Sequence, residues 1–503
     1  MALETWFLVG GFVLFVAVFA SKLTNKFGVP TLIIFVTIGM LMGEEGLGNI
    51  AFSDYVLASG IAEIALVVIL FSGGFDTAWH SVKKAAPISI LLSSVGVIIT
   101  GLAVGLFAGL VFELTILEGL LLGAIISSTD AAAVFTILKT RNMNLKKDLA
   151  GTLELESGSN DPVAYMMTLL FIFWIQSTQT GFALSLILQL GVGAFVGIGI
   201  GYLATQLINR IHLSIDGLYF IIAASMVMLS FGLSSYLNGN GFLAVYLTGI
   251  VMGNHPLTHK ISLIKFFDGL TWLMQILLFF TLGLLVFPSQ VLDVIWQGLA
   301  VAAFLSFVAR PIAVFSIMSF FKKSWQEMTL VSWVGFRGAA SIVFAIYPLM
   351  YGLSSGPLIF NIVFFVAFFS VLIQGISLIP LANWLKLTET SSNVLTTFTD
   401  YRGDTYADLL GVKVPDDSEV VGQTIMELEL PERILIVMIK RGKSVVTPRG
   451  HTKLCAGDIL MLASDSKDEL LEIARMDRFQ STIKKRKTES IVDVGDTSEL
   501  GDT

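Results

Sequence analysis

A chain of 503 residues that is 55% hydrophobic and 14% charged, with a mean hydropathy of +0.81, is excluded from the soluble globular class and reads as a multi-span membrane protein. Its net charge of −7 comes mainly from the region beyond residue 400, so it identifies no partner, and no nucleic acid is expected. The single cysteine, Cys455, excludes disulfides and cysteine-based metal sites within one chain.

In chain order, the N-terminal MALETWFLVGG lacks a basic n-region and a small-residue cleavage site, so the first apolar run is expected to be retained. Thirteen candidate spans follow, near residues 6–20, 29–42, 56–75, 86–112, 114–138, 150–176, 182–207, 217–237, 241–253, 264–287, 291–320, 328–351 and 359–385. The odd-numbered loops hold Lys22, Lys26, Lys83, Lys84, Arg210, Lys260, Lys322 and Lys323 among others, whereas the even-numbered loops hold no Lys or Arg. The positive-inside rule therefore predicts the N-terminus outside and the C-terminus in the cytoplasm. With thirteen spans, the first six and the last six have opposite topology, the layout of an inverted repeat, which pairs span five with twelve and six with thirteen.

After a polar linker, LLGVKV, ILIVMIKR, SVVTP and DILMLA read as strands, RGK as a hairpin turn and SKDELLEIARM as a final helix. The expected division is a transmembrane domain at 1–387, a linker at 388–403, a small α+β cytoplasmic domain at 404–476 and a disordered charged tail at 477–503. His255 and His259, in the loop NHPLTHK, read as a solvated loop pair rather than a metal site.

Ionisable residues inside spans are costly and therefore mark function by default. Span five carries Thr129 and Asp130, span six carries LELESGSNDPVAYM, and span twelve carries Arg337 between Gly335 and Gly338, where a helix break is expected. Helical spacing divides the span-six stretch into two stripes: Ser157 with Asp161, and Glu156 with Asn160. Pro162 cannot donate to the carbonyl of Gly158, so that oxygen, the Ser157 hydroxyl and the Asp161 carboxylate suit a hard monovalent cation. Glu156 is then expected to pair with Arg337 as a structural ion pair, and Arg310 to snorkel near the cytoplasmic end. Glu63, Asp130, Glu156 and Asp161 outnumber these two arginines, so acid is left over for ion or proton binding, with Glu63 the weakest candidate. A carboxylate that holds either a proton or a cation, never both, suffices for antiport.

ESGSNDP (156–162), SSTDAAAV (127–134), GFRGAAS (335–341) and, more weakly, FGVPTLIIFVTIGMLMG (27–43) resemble NhaP-like monovalent cation/proton antiporters over residues 6–385. The resemblance implies an all-α fold with crossed interrupted helices, a homodimer working by an elevator motion, and residence in a bacterial cytoplasmic membrane. It also implies Asp161 as the ion- and proton-binding carboxylate, with Thr129, Ser157 and Asp130 building the site; Asn160 resembles the electroneutral branch. Residues 404–476 resemble the C-terminal half of RCK domains, through PDDSEVVGQTIMELELPE and VVTPRGHTKLCAGDILMLA. No GxGxxG fingerprint accompanies them, so no dinucleotide cofactor is expected; a small cytosolic ligand such as a nucleotide is a candidate regulator, and a dimer-stabilising module without a ligand is the alternative of equal weight. The expected function is exchange of K⁺ or Na⁺ for H⁺, with no enzymatic activity. A Na⁺-selective antiporter, a cation channel without proton coupling and a membrane-anchored ligand receptor are the alternatives.

Overall fold

A computed structural model of the chain describes residues 3–27, 31–131, 134–135, 137–138, 143–146, 148–176, 182–390, 408–415, 418, 420–428, 430–431, 434–442, 444–464 and 491–492. Most of the expected linker, the expected final helix at 466–476, Lys139, Arg141 and Lys147 lie outside these residues. The chain divides into a membrane unit, Met1–Ser392, and a C-terminal unit, Asn393–Thr503.

The membrane unit is helical. Its main helices are α1 (Leu3–Phe27), α2 (Thr31–Met42), α3 (Tyr55–Asp76), α4 (Ala86–Val111), α5 (Ile116–Ile126), α6 (Leu149–Ile175) and α7 (Phe182–Arg210). They continue with α8 (Gly217–Tyr236), α9 (Gly241–Asn254), α10 (Lys260–Leu284), α11 (Ile295–Phe321), α12 (Trp325–Trp333), α13 (Ala339–Met350) and α14 (Gly356–Trp384). Seven of them are long and apolar enough to cross a membrane: α3, α4, α7 from Ile187, α8, α10, α11 and α14. α6 has 27 residues, ample length for a crossing, but the carboxylates of Glu154, Glu156 and Asp161 interrupt its apolar sequence.

Two features recur in the helices expected to be repeat mates. α5 opens on a capping box in which Thr115 and Glu118 satisfy each other's backbone amides, and α12 opens on the same device built from Ser324 and Glu327. α4 and α11 each carry a five-residue π-helical segment, Leu92–Gly96 and Leu305–Ala309. One extra residue per turn re-aims the side chains that follow, and in α11 the residue that follows is Arg310.

Small residues let α4 and α5 pack backbone to backbone. A Cβ added at Gly123 would lie 2.0 Å from the Gly101 carbonyl oxygen, and one at Gly119 would lie 2.5 Å from that of Gly105. Such approach substitutes van der Waals contact for the hydrophobic drive that lipid cannot supply. On the loop side, β1 (Met143–Leu145) pairs antiparallel with β2 (Thr388–Thr390), tying the segment before α6 to the segment after α14.

In the C-terminal unit five antiparallel strands lie in the order β5-β4-β6-β3-β7: β3 (Asp408–Lys413), β4 (Leu435–Arg441), β5 (Ser444–Val446), β6 (Ile459–Ser464) and β7 (Ile491–Val492). The expected turn before β5 has Gly442 at φ +59°, a left-handed conformation that glycine adopts without strain. Val412, Ile436, Ile439, Leu454, Leu460 and Leu462 form its buried core. β7 is the one described piece of the tail expected to be disordered.

Candidate functional site: a crossing of interrupted helices

The site is built where two helices stop inside the membrane unit. α5 ends at Ile126 and α12 at Trp333, and each continues as non-helical backbone, 127–131 and 334–338. The two segments touch: the Asp130 amide donates to the Phe336 carbonyl at 2.8 Å. Interrupted helices expose unpaired carbonyls at one end and unpaired amides at the other, and each end here meets a side chain of suitable sign. Arg337 Nη1 donates to the Ser127 and Ser128 carbonyls at 2.7 and 2.6 Å, closing the C-terminal end of α5. Asp130 approaches the N-terminal end of α13, where a Cβ on Gly338 would lie 2.1 Å from its carboxylate. A positive charge at a helix C-terminus and a negative one at an N-terminus both complement the helix dipole. Gly338 has no side chain because the carboxylate occupies that space.

α6 passes beside this crossing and is unbroken through Pro162. Asp161 is buried and accepts a hydrogen bond from the Ser128 hydroxyl. Ser157 donates to the Thr129 carbonyl at 3.0 Å and accepts from the Ala131 amide at 2.9 Å. Asn160 donates to the Thr129 hydroxyl at 2.5 Å. Ser157 and Asn160 therefore both hold the non-helical segment, and the two-stripe division is replaced by a shared grip on residue 129. Gly158 packs against the Tyr246 ring, which a Cβ would meet at 2.4 Å. The Pro162 carbonyl accepts from Asn240 Nδ2 at 3.0 Å.

One expected pair is corrected. Glu156 meets Arg310 at 2.5 Å, not Arg337, and Arg310 is buried rather than snorkelling. The reason is geometric: Arg337 is drawn to the exposed carbonyls of α5, while the π segment of α11 turns Arg310 toward α6. Glu63 stands apart from the crossing and accepts from the Tyr347 hydroxyl at 2.6 Å. His255 Nδ1 lies 2.7 Å from the Val251 carbonyl, and among the described residues no group of three metal-ligating side chains occurs. Ser128 is the residue that sequence reasoning missed. Its signal was membership of the polar run SSTD, from which Thr129 and Asp130 alone were selected.

Oxygen-rich, carboxylate-bearing ground at the crossing of two interrupted membrane helices defines a secondary ion carrier. Residues 11–384 match the family model described as sodium/hydrogen exchanger, transmembrane, and residues 409–475 match that of the TrkA-C domain. The chain is 36% identical over 474 residues to the K(+)/H(+) antiporter NhaP2 of Shewanella baltica, covering 93% of this chain and 82% of that one. It is 40% identical over 390 residues to the K(+)/H(+) antiporter NhaP of Alkalimonas amylolytica, covering 77% and 68%. The fold resembles that of the sodium proton antiporter MjNhaP1 of Methanocaldococcus jannaschii, with a TM-score of 0.66 at 23% identity over 76% of this chain and 99% of that one. The chain belongs to the sodium/hydrogen exchanger family. It is a multi-pass, NhaP-like monovalent cation/proton antiporter with a regulatory TrkA-C domain, a transporter rather than an enzyme.

Proposed function

We propose that the protein exchanges cytoplasmic K⁺ for external H⁺, one for one, across the cytoplasmic membrane of a bacterium. Proton and cation compete for Asp161, with oxygens from Ser128, Thr129, Ser157 and the Gly158 carbonyl serving the cation and Asn160 and Asp130 ordering the site. One observation carries this reading: a buried Asp161, engaged by a hydroxyl from the interrupted segment, lies where two broken helices cross. Burial disfavours a bare carboxylate, so the group binds either a proton or a cation, and a single exchangeable carboxylate makes one-for-one exchange the simplest stoichiometry. The choice of K⁺ rests on the relatives described as K(+)/H(+) antiporters.

The matched capping boxes and π segments support an inverted repeat, and the alternation of Lys and Arg between loops supports thirteen spans with the N-terminus outside and the C-terminus inside. Transport would proceed in a homodimer by an elevator motion. Residues 1–387 form the transport domain, 388–403 the linker, 404–476 the regulatory domain responding to a small cytosolic ligand such as a nucleotide, and 477–503 a charged tail.

The test is purified protein in liposomes with an internal pH dye. Addition of K⁺ should move protons, Asp161→Asn should abolish that movement in a folded protein, and K⁺, Na⁺ and Li⁺ should differ in apparent affinity, with K⁺ preferred. Cation flux without proton movement would instead identify a channel.

A further inference from the structure

Past Asp161, toward the outer end of α6, rings from three helices meet in a cluster that the exchange site does not use. Tyr165 lies one turn beyond Asp161 on the same helix face, about 6 Å farther along the axis. Its ring meets Phe242 of α9 edge-on at 4.9 Å and packs against Phe344 and Tyr347 of α13 at 5.8 and 5.7 Å. The Tyr347 hydroxyl is tied in turn to Glu63 of α3 at 2.6 Å. A carboxylate within a membrane span needs a partner, and Glu63 takes a phenol rather than an arginine.

Beyond the cluster is a cavity of about 280 Å³ whose wall includes Tyr165, Phe242, Gln189, Ser235 and Asn238. Asp161 is not on that wall. Asn238 belongs to the α8–α9 connection, one of the loops without Lys or Arg that the charge pattern puts outside. The aromatic cluster therefore separates a half-polar outer cavity from the buried carboxylate.

We propose that Tyr347 is a positioning residue whose hydrogen bond to Glu63 holds Tyr165 and Phe242 closed as a barrier between the outer cavity and Asp161. The proposal rests on the reading of Asp161 as the exchange site and of the Asn238 loop as external. Phe at position 347 would keep the ring packing and lose the tie, whereas Gln at position 63 would still offer an oxygen to the phenol.

The experiment follows access directly, in full-length protein carrying Cys455→Ser, with a membrane-impermeant maleimide added to right-side-out vesicles. Asp161→Cys should label slowly, and adding Tyr347→Phe should speed that labelling at least about tenfold. Adding Glu63→Gln should leave it unchanged. Ser235→Cys, on the cavity wall, should label at one rate in all three backgrounds, which also reports that they fold alike. Equal labelling of Asp161→Cys with and without Tyr347→Phe would overturn the barrier, as would failure of Ser235→Cys to label from outside. Persistent exchange by Asp161→Asn is the separate result that sinks the exchange-site reading.

Discussion

The two units each contain an arginine–carboxylate pair, and the pairs obey different physics. In the membrane unit Arg310 and Glu156 meet with side chains only 3% and 1% exposed. In the C-terminal unit Arg441 grips Asp458 through Nε and Nη2, both at 2.8 Å, with Asp458 buried and Arg441 37% exposed. Asp458 also accepts the Cys455 amide at 2.8 Å, while Arg441 donates to the Lys453 carbonyl. Dehydration of both members opposes the first pair, so its attraction largely offsets that cost and its use is to fix α11 against α6. The second pair keeps water at one edge and stitches β4 to the turn before β6. A dry pair is therefore poor at adding net stability and very costly to break, whereas a half-wet pair is moderate in both respects.

Breaking the dry pair should have the largest effect. Arg310→Ala or Glu156→Gln leaves a buried group without its partner and should cost about 3–5 kcal/mol, read as a large drop in melting temperature in detergent. The double variant Arg310→Met with Glu156→Gln should recover much of that loss, and a double variant as unstable as the singles would contradict the account. Next is Ser128→Ala, which removes a hydrogen bond to Asp161 worth about 1.5–3 kcal/mol when the acceptor is charged. The expected reading is a shift of about tenfold or more in apparent cation affinity in the liposome assay, with a smaller drop in melting temperature than the Arg310 and Glu156 variants show; unaltered affinity would remove Ser128 from the site.

The half-wet pair predicts a pH dependence. Burial pushes the Asp458 carboxyl up, but hydrogen bonds from Arg441 and the Cys455 amide, together with the Arg441 charge, outweigh it and hold the group below its ordinary value. A carboxyl lowered on folding contributes stability above its unfolded value, near 3.9, and loses that contribution as pH falls through its folded value. Hydrogen-exchange protection factors at β4 and β6 in the full-length protein, corrected for the intrinsic pH dependence of amide exchange, should thus fall on acidification below about pH 4. Asp458→Asn should flatten that response and cost about 1–3 kcal/mol at neutral pH; an unchanged acid response would count against the pairing. The smallest effect belongs to Arg441→Lys, which loses the bidentate fork but keeps the charge, and should cost no more than about 1 kcal/mol because the exposed edge is screened.

Much of the fold is written locally. The strands of the C-terminal unit follow period-two alternation in LLGVKV, ILIVMIKR and DILMLA, and Gly442 marks the turn, because each of these signals acts over a few residues. The break near Arg337 was legible for the same reason, since Gly335 and Gly338 flank it within a single apolar run. The short helices α5, α9 and α13 were legible as apolar segments, whereas the π segments of α4 and α11 left no mark that periodicity could register.

By itself the sequence determined that this chain crosses a membrane many times, carries a small β-rich domain and concentrates rare polar groups in three apolar runs; those are consequences of composition and short-range spacing. Tertiary structure alone decided which arginine Glu156 meets, that Ser128 rather than Ser157 reaches Asp161, and that Arg337 closes the end of α5. The physical reason is that spacing along one helix specifies which side chains share a face. What faces them from another helix depends on where that helix breaks, bulges and packs.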